Sequence, residues 1–349
     1  MTDPYARYAL RDDRAPAGDL RRDEFEGEVN ALWFTPQVDR KAMKALMKRT
    51  DAESLWNYGL WLALMAVTGV GGYLTWGTVW AAPWFLAYGI LYSTSDHRAH
   101  ELSHGTPFKT RWLNEALYHL NAFMTLHEGH YWRWSHTRHH THTVIVGQDP
   151  EIAVPRPANR LNVLLDFFFL RSGPVQIAHI CWHATGRLIE QGHHFIPDSE
   201  RAKVVWSSRA YVLVFALTIG ACVWAQSLLP AMYIVLPRFY GCFFAQLFNV
   251  TQHAGLAEDV HDHRLNTRTF VTNPVFQWLY CNMNFHIEHH TCPMVPWHRL
   301  PALHVAIRDQ CPPVYPSVWA AWAEVWPALT VQARDARHQV NRPLPGVTA

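Results

Sequence analysis

The first long apolar block of the chain runs from Ser54 to Ser95 and contains no Asp, Glu, Lys, Arg or His. A membrane-spanning helix needs about 20 apolar residues. The block is therefore long enough for two spans, which we predict at 54–73 and 76–95, with three glycines within 71–77 forming the turn between them. A buried helical hairpin of a soluble protein is the alternative, but soluble helices keep a polar stripe, which this block lacks.

The second apolar block covers residues 210–252 and carries a single charge, Arg238. It has the length of two further spans, which we predict at 210–229 and 231–251, with a break at Pro230. The pattern thus predicts an all-α integral membrane protein with four transmembrane helices in two hairpins.

The distribution of basic residues predicts the orientation of these spans. The turns within the two hairpins contain no Lys or Arg, whereas the other segments carry nearly all of them. By the positive-inside rule, both termini and the middle segment should be cytoplasmic. The predicted parts are a cytosolic N-terminal segment (1–53), a membrane domain (54–326) whose helical cytosolic cap comprises 96–209 and 252–326, and a C-terminal tail (327–349).

A shorter apolar stretch lies within the predicted cap. Residues 161–170, LNVLLDFFFL, are too few to cross a bilayer. We interpret them as an interfacial helix lying in the plane of the membrane surface. A core helix of the cap is the alternative.

Arg238 has two interpretations. A charge at the bilayer centre costs about 2.5–3.5 kcal/mol on insertion scales, so an intramembrane arginine usually faces a cavity or a partner. Either the fourth span starts later, near Phe239, and Arg238 snorkels at the outer interface, or Arg238 faces the bundle interior and pairs with a polar group.

Composition excludes several classes of protein. The formal net charge is +2, which gives no nucleic-acid signature. The six cysteines are scattered without a C-x-x-C pair, so neither a zinc ribbon nor a disulfide framework is indicated. No apolar secretory segment opens the chain. A basic cluster at 40–49 precedes the first span, where it could contact anionic lipid headgroups or dock a partner.

The 23 histidines are concentrated in short motifs on the predicted cytosolic side. On a helix, residues at i, i+3 and i+4 share one face, so H-x-x-H-H should aim three imidazoles at one place. Imidazole is a common ligand of first-row transition metals. Nine candidate ligands exceed the four to six that one metal takes, which favours two metals. The candidates are His100 and His104, then His136, His139 and His140, then His253, then His286, His289 and His290.

The order H-x-x-x-H, H-x-x-H-H, apolar hairpin, H-x-x-H-H resembles the membrane fatty acid desaturase and hydroxylase superfamily over about residues 54–305. The resemblance implies a four-span, mushroom-shaped fold whose cytosolic cap holds a non-haem di-iron centre. By analogy with the acyl-CoA desaturases, NVTQH implies that His253 binds metal and that Asn249 acts through water. Three residues separate His100 from His104, as in acyl-lipid and sphingolipid desaturases, whereas acyl-CoA desaturases usually have four, so the substrate branch stays open.

The activity implied by the resemblance is O2-dependent oxidation of an unactivated C–H bond, with fatty acyl desaturation as the default. Hydroxylation, or oxidation of a small non-lipid or amino-acid-derived substrate, is the alternative. The chain has no iron–sulfur cysteine pattern and little room for a haem domain. A separate ferredoxin- or cytochrome-type electron donor is therefore implied, and the basic cluster at 40–49 could help to dock it.

Two other functions fit parts of the pattern. HELSH, residues 100–104, also reads as the H-E-x-x-H motif of zinc proteases, with Glu101 as the base. That reading leaves the other two boxes without a role. A histidine-rich metal transporter or store is also possible in principle, but transport sites usually lie at the bilayer midplane, and these boxes lie outside the predicted hydrocarbon.

The remaining residues of interest are expected to orient the ligating histidines or to pack the protein interior. Ligating histidines are usually oriented by carboxylates, and the candidates are Asp96, Glu101, Glu128, Asp149, Glu151 and Glu288. His142 lies off the ligand face, and isolated histidines such as His119 and His179 are expected to be packed or exposed. Trp132 and Trp134 are expected to pack the cap or to form a substrate wall.

Overall fold

The computed structural model describes residues 3–10 and 33–345, and this part of the chain is helical, with two isolated β-bridges and no strand. The predicted all-α class is confirmed. The α-helices are α1 Arg40–Leu46, α2 Asp51–Leu74, α3 Ala81–Ser93, α4 Ser95–Ser103, α5 Arg111–Met124, α6 Gly129–Thr141, α7 Arg160–Asp166, α8 Ser172–Ala184, α9 Asp198–Ala225, α10 Leu229–Ile234, α11 Pro237–His253, α12 His263–Asn266, α13 Pro274–Leu279, α14 His286–Thr291, α15 Leu300–Ile307 and α16 Val318–Gln332.

The first apolar block forms α2 and α3. Thr50 caps α2 by accepting a hydrogen bond from the backbone of Ala52, and Asp51 and Glu53 occupy its first turn, where acidic side chains complement the helix dipole. The two helices pack against each other, and the indole of Trp61 donates to the carbonyl of Leu91 across the contact.

Within the described residues, two stretches are long and apolar enough to cross a membrane: α9 and the combined α10–α11 stretch Leu229–His253. The other two predicted spans correspond to α2 and α3, and the four-span topology stays a prediction. The predicted boundaries need correction, because α9 begins at Asp198, well before the predicted start of the third span, and the fourth span is interrupted between Ile234 and Pro237.

Helices α3 and α11 pack closely against each other. Gly241 lies so near Gly89 that a Cβ atom added at Gly241 would be 1.9 Å from the Gly89 carbonyl carbon. The close approach brings the carboxyl end of α3, and α4 that follows it, alongside the carboxyl end of α11. The first histidine motif and His253 are thereby brought to the same region.

Other predicted segments also have defined structure. Residues 161–170 form α7 and the following turn, and Leu161, Leu164, Phe168 and Leu170 are exposed, which disfavours a core helix and leaves the interfacial helix as a prediction. Helix α16 continues to Gln332, so the first residues of the predicted tail are helical. The N-terminal segment lies partly outside the described residues.

Candidate metal centre

Three short helices and the end of α11 carry the candidate ligands. His100 lies in α4 and His104 caps its carboxyl end. The second box lies in α6 and the third in α14. His253 is the last residue of α11. The structure brings all nine candidate histidines together.

The first histidine group comprises His100, His104, His136, His140 and His289, with one ring nitrogen of each within 4.8 Å of all the others. Nε2 of His100 is 2.9 Å from Nε2 of His289, and Nε2 of His140 is 3.1 Å from that of His136. All five side chains aim at a common point.

The second histidine group contains His139, His253 and His290, again with ring nitrogens within 4.8 Å of one another. His286 joins it, because its Nε2 lies 3.2 Å from Nε2 of His253 and 3.1 Å from Nε2 of His290. The two groups therefore contain five and four histidines, enough for two metal positions.

Each H-x-x-H-H box divides between the groups. His136 and His140 belong to the first and His139 to the second, whereas His286 and His290 belong to the second and His289 to the first. The expectation that one box aims three imidazoles at one place is wrong. With 3.6 residues per turn, positions i+3 and i+4 point about 100° apart, so the i, i+4 pair converges while i+3 points elsewhere.

The electrostatics of the site favour neutral imidazoles. Burial lowers the pKa of His100, His104 and His136 well below the usual value, and it lowers the pKa of His289 to about 3. His139 differs: burial opposes protonation, but the Asp149 carboxylate raises its pKa. Neutral imidazole is the form that binds metal.

The residues present fit a pair of first-row transition metals. Nε2 of His104 is buried without a hydrogen-bond partner among the described residues, and it lies within the first group. The donor set of both groups is entirely imidazole, without a thiolate, which suits iron, zinc, copper or nickel.

Hydrogen-bonding groups hold the outer nitrogen of several of these rings. Nδ1 of His136 lies 3.0 Å from a Glu151 oxygen and Nδ1 of His139 lies 2.9 Å from an Asp149 oxygen, both with hydrogen-bond geometry. Nδ1 of His289 also lies 3.0 Å from a Glu101 oxygen, but this contact lacks hydrogen-bond geometry. Such hydrogen bonds fix ring orientation and leave Nε2 for the metal. Two further contacts, which the sequence reasoning missed, are the Asn266 carbonyl with His253 and the Thr143 hydroxyl with His290.

The other three candidate carboxylates have different partners. Glu128 caps the amino terminus of α6, and Glu288 contacts His304 and the Thr269 hydroxyl. Asp96 accepts hydrogen bonds from Arg238 and Asn249. Within the described part of the chain, none of the three carboxylates accepts a hydrogen bond from a member of the two histidine groups.

Arg238 is 4 % exposed, with Nη2 2.9 Å from Oδ2 of Asp96 and Nη1 3.1 Å from the Ser93 carbonyl oxygen. The interpretation as a snorkelling residue is wrong, because the guanidinium faces the helix bundle. No sequence signal identified Asp96 as its partner.

Asn249 lies beside the histidine groups but contacts other residues. Its Oδ1 is 3.1 Å from Nε2 of His97, and its Nδ2 donates to Asp96 at 3.0 Å. A water-mediated role toward a metal stays a prediction. His119, His142 and His179 lie outside both groups. Trp132 packs against His127 and Tyr118 and also lines the cavity beside His136, so both of its expected roles stay open.

A cavity of about 670 Å³ reaches this centre, and its lining includes His100, His136, His139 and His253. Asp96, Arg238 and Asn249 line the same cavity. It gives a substrate-sized molecule access to both histidine groups.

Comparison with known proteins agrees with this arrangement. A fatty acid conjugase of Calendula officinalis is 24% identical over 304 residues, which cover 74% of this chain and 77% of the conjugase. The family model described as fatty acid desaturase matches residues 78–322, a range that contains all nine candidate histidines. The chain therefore belongs to the fatty acid desaturase family.

Proposed function

We propose that this protein is a membrane-bound oxidoreductase that uses O2 to oxidise an unactivated C–H bond at a histidine-held di-iron centre, and that it desaturates a fatty acyl chain. The observation that carries the proposal is the division of nine histidines into two adjacent groups that share one cavity. The family match and the conjugase relative support fatty acyl oxidation.

We assign one iron to the first histidine group and the other to the second. Bound iron would supply O2 activation and the removal of hydrogen from carbon, which protein side chains cannot perform. The protein contributes the positions of the nitrogens: Asp149 and Glu151 orient His139 and His136 through Nδ1. The walls of the cavity hold the substrate carbon near the centre.

The reaction needs two electrons from outside the chain. We propose a separate ferredoxin- or cytochrome-type donor that approaches from the cytoplasm. The exposed basic residues of α1, Arg40, Lys41 and Lys44, offer such a donor a charged surface. The four-span topology with cytoplasmic termini and a cytoplasmic metal centre belongs to the same proposal.

Hydroxylation by the same centre is the second candidate, because both outcomes begin with removal of one hydrogen. The zinc-protease reading of HELSH is less consistent with the site. Glu101 is buried and lies 3.0 Å from Nδ1 of His289, whereas a protease base must face a metal-bound water.

Two measurements test the proposal. Metal analysis of the protein purified from membranes should give about two iron ions per chain, against one zinc for a protease. Mass spectrometry should then compare lipids and small metabolites from cells that express the wild type with those from cells that express His140→Ala. A compound that has lost two hydrogens identifies a desaturase, and a compound that has gained one oxygen identifies a hydroxylase. If no compound differs between the two kinds of cell, both candidate functions are wrong.

A further inference from the structure

One wall of the cavity at the metal centre is unexpectedly polar. Arg238, Cys242, Gln246, Asn249 and His253 recur every three or four residues along α11 and all line the cavity. They therefore form one face of that helix. This face lies in the second apolar block, where a tunnel for a plain hydrocarbon would be lined by apolar side chains.

The positive charges in the lining are already neutralised. Arg238 pairs with Asp96, Arg171 lies 3.0 Å from Asp166, and Arg156 lies 3.3 Å from Glu258. An anionic substrate group would have to displace a carboxylate from one of these arginines. The cavity is therefore poorly suited to a carboxylate or a phosphate.

Uncharged hydrogen-bonding groups in the lining are available instead. The side-chain amides of Asn162, Gln176 and Gln246 face the cavity, and within the described part of the chain they make no hydrogen bond. The three residues are half-exposed, so water can reach their amides in the empty cavity. An apolar ligand that covered these amides would remove that water without replacing its hydrogen bonds, which costs about 1–3 kcal/mol for each group. A substrate that supplies uncharged donors and acceptors would replace the lost water and avoid this cost, whereas methylene groups would not.

The space between α3 and α11 does not accept an acyl chain at their crossing. The backbones of Gly89 and Gly241 are in contact there, with no room even for a methyl group. An apolar surface lies beside the cavity, where Leu161 and Leu164 are exposed on α7 and the neighbouring Asn162 and Val163 line the cavity. An apolar tail can lie along α7 while a polar group enters the cavity.

We infer that the substrate is an amphiphile whose oxidised carbon lies within a few bonds of uncharged hydroxyl or amide groups, and that an unsubstituted acyl chain is a poor ligand. The inference rests on the proposed function, because it takes this cavity as the substrate site. The polar side chains of the cavity wall restrict the proposed acyl substrates to those that carry uncharged polar groups near the oxidised carbon.

Equilibrium binding to the purified full-length protein tests the inference with two radiolabelled probes of equal chain length. N-palmitoylserinol carries an amide and two hydroxyls, and methyl palmitate carries neither. We expect the wild type to bind N-palmitoylserinol at least about tenfold more tightly. Gln246→Leu and Gln176→Leu should each reduce this preference by about threefold to tenfold, the effect of one or two lost hydrogen bonds.

Gln277→Leu is the matched control, because Gln277 is half-buried on α13 and outside the cavity lining; its preference should equal that of the wild type. Equal or tighter binding of methyl palmitate to the wild type overturns the inference, whatever the variants do. The inference is also overturned if Gln246→Leu and Gln176→Leu both keep the wild-type preference for N-palmitoylserinol over methyl palmitate. Binding is measured without turnover, so iron content and product analysis report separately on the proposed function.

Discussion

Nη2 of Arg238 lies 2.9 Å from Oδ2 of Asp96, so the single charge of the second apolar block is paired with an acidic residue four positions before His100. Both side chains are buried. Removing one partner of a buried ion pair leaves the other charge without compensation, which costs roughly 3–5 kcal/mol. The pair therefore couples α11 to the helix that carries the first histidine motif.

Arg238→Leu should lower both the thermal unfolding midpoint in detergent and the activity, because Asp96 is left buried and unpaired. Arg238→Lys should fall between Arg238→Leu and the wild type, since an ammonium cannot reproduce the planar fork that reaches both Asp96 and the Ser93 carbonyl. The double variant Arg238→Leu/Asp96→Leu should regain part of the lost stability. Exposed Arg111→Leu is the control, and near wild-type values for both Arg238 variants would eliminate the interior role.

Replacing His140 or His289 with alanine should abolish turnover and lower bound iron while membrane insertion stays intact. Both rings lie in the first histidine group, with their Nε2 atoms 3.2 Å apart. His119→Ala should have little effect, because His119 lies outside both groups. Iron per chain and product formation are the readouts, and normal iron and activity in His140→Ala would refute the di-iron assignment.

The histidine spacing predicted which histidines would lie close together. It did not predict how they would divide between the two histidine groups. Helical periodicity placed His136, His139 and His140 near one another. The assignment of His139 to the second group depends on where α11 and α14 present His253 and His290, which is tertiary information. The same limit applies to Arg238, whose partner lies 142 positions away.

Helix boundaries were also predicted less well than the apolar blocks. The third predicted span began at 210, whereas α9 begins at Asp198 because Asp198 and Glu200 occupy a favourable first turn and Pro197 precedes them. Hydropathy detects only the apolar part of a helix. It misses polar residues at the beginning of the same helix. The interruption of the fourth span before Pro237 was not predicted either, although a proline is a common cause of such a break.

Asp149→Asn should reduce iron affinity by about 10–100-fold, the usual effect of losing the group that orients a ligating histidine. The Asp149 carboxylate holds Nδ1 of His139 at 2.9 Å and also accepts from the backbone of Val144. Glu115→Gln is a suitable control, since Glu115 is exposed and pairs with Arg133 at the surface. Iron retention during dialysis against a chelator measures the effect, and equal retention by the two variants would contradict it.

The predicted topology can be tested by cysteine labelling in intact membrane vesicles. Single cysteines introduced within 140–160 and near the C-terminus should react from the same side as the N-terminus. A cysteine in the 71–77 turn should react only from the opposite side, because the hairpin turns lack Lys and Arg whereas the other segments are basic. Labelling of 140–160 from the side opposite to the N-terminus would exclude the four-span arrangement.

Gly241→Ala should disrupt the protein more than any other glycine-to-alanine change on the second apolar block. The added methyl would lie 1.9 Å from the Gly89 carbonyl carbon, a backbone atom that no side-chain rotation can move away. Helices α3 and α11 would have to separate, which would shift His253 relative to His100. Gly220→Ala is the matched control, because a Cβ there meets no atom within 4 Å and alanine favours a helix by about 1 kcal/mol over glycine. We therefore expect Gly241→Ala to lose iron and lower the unfolding midpoint, whereas Gly220→Ala should retain iron and unfold at the same or a higher temperature. If the two variants behaved alike, the backbone contact between α3 and α11 would not be what holds the two histidine groups in place.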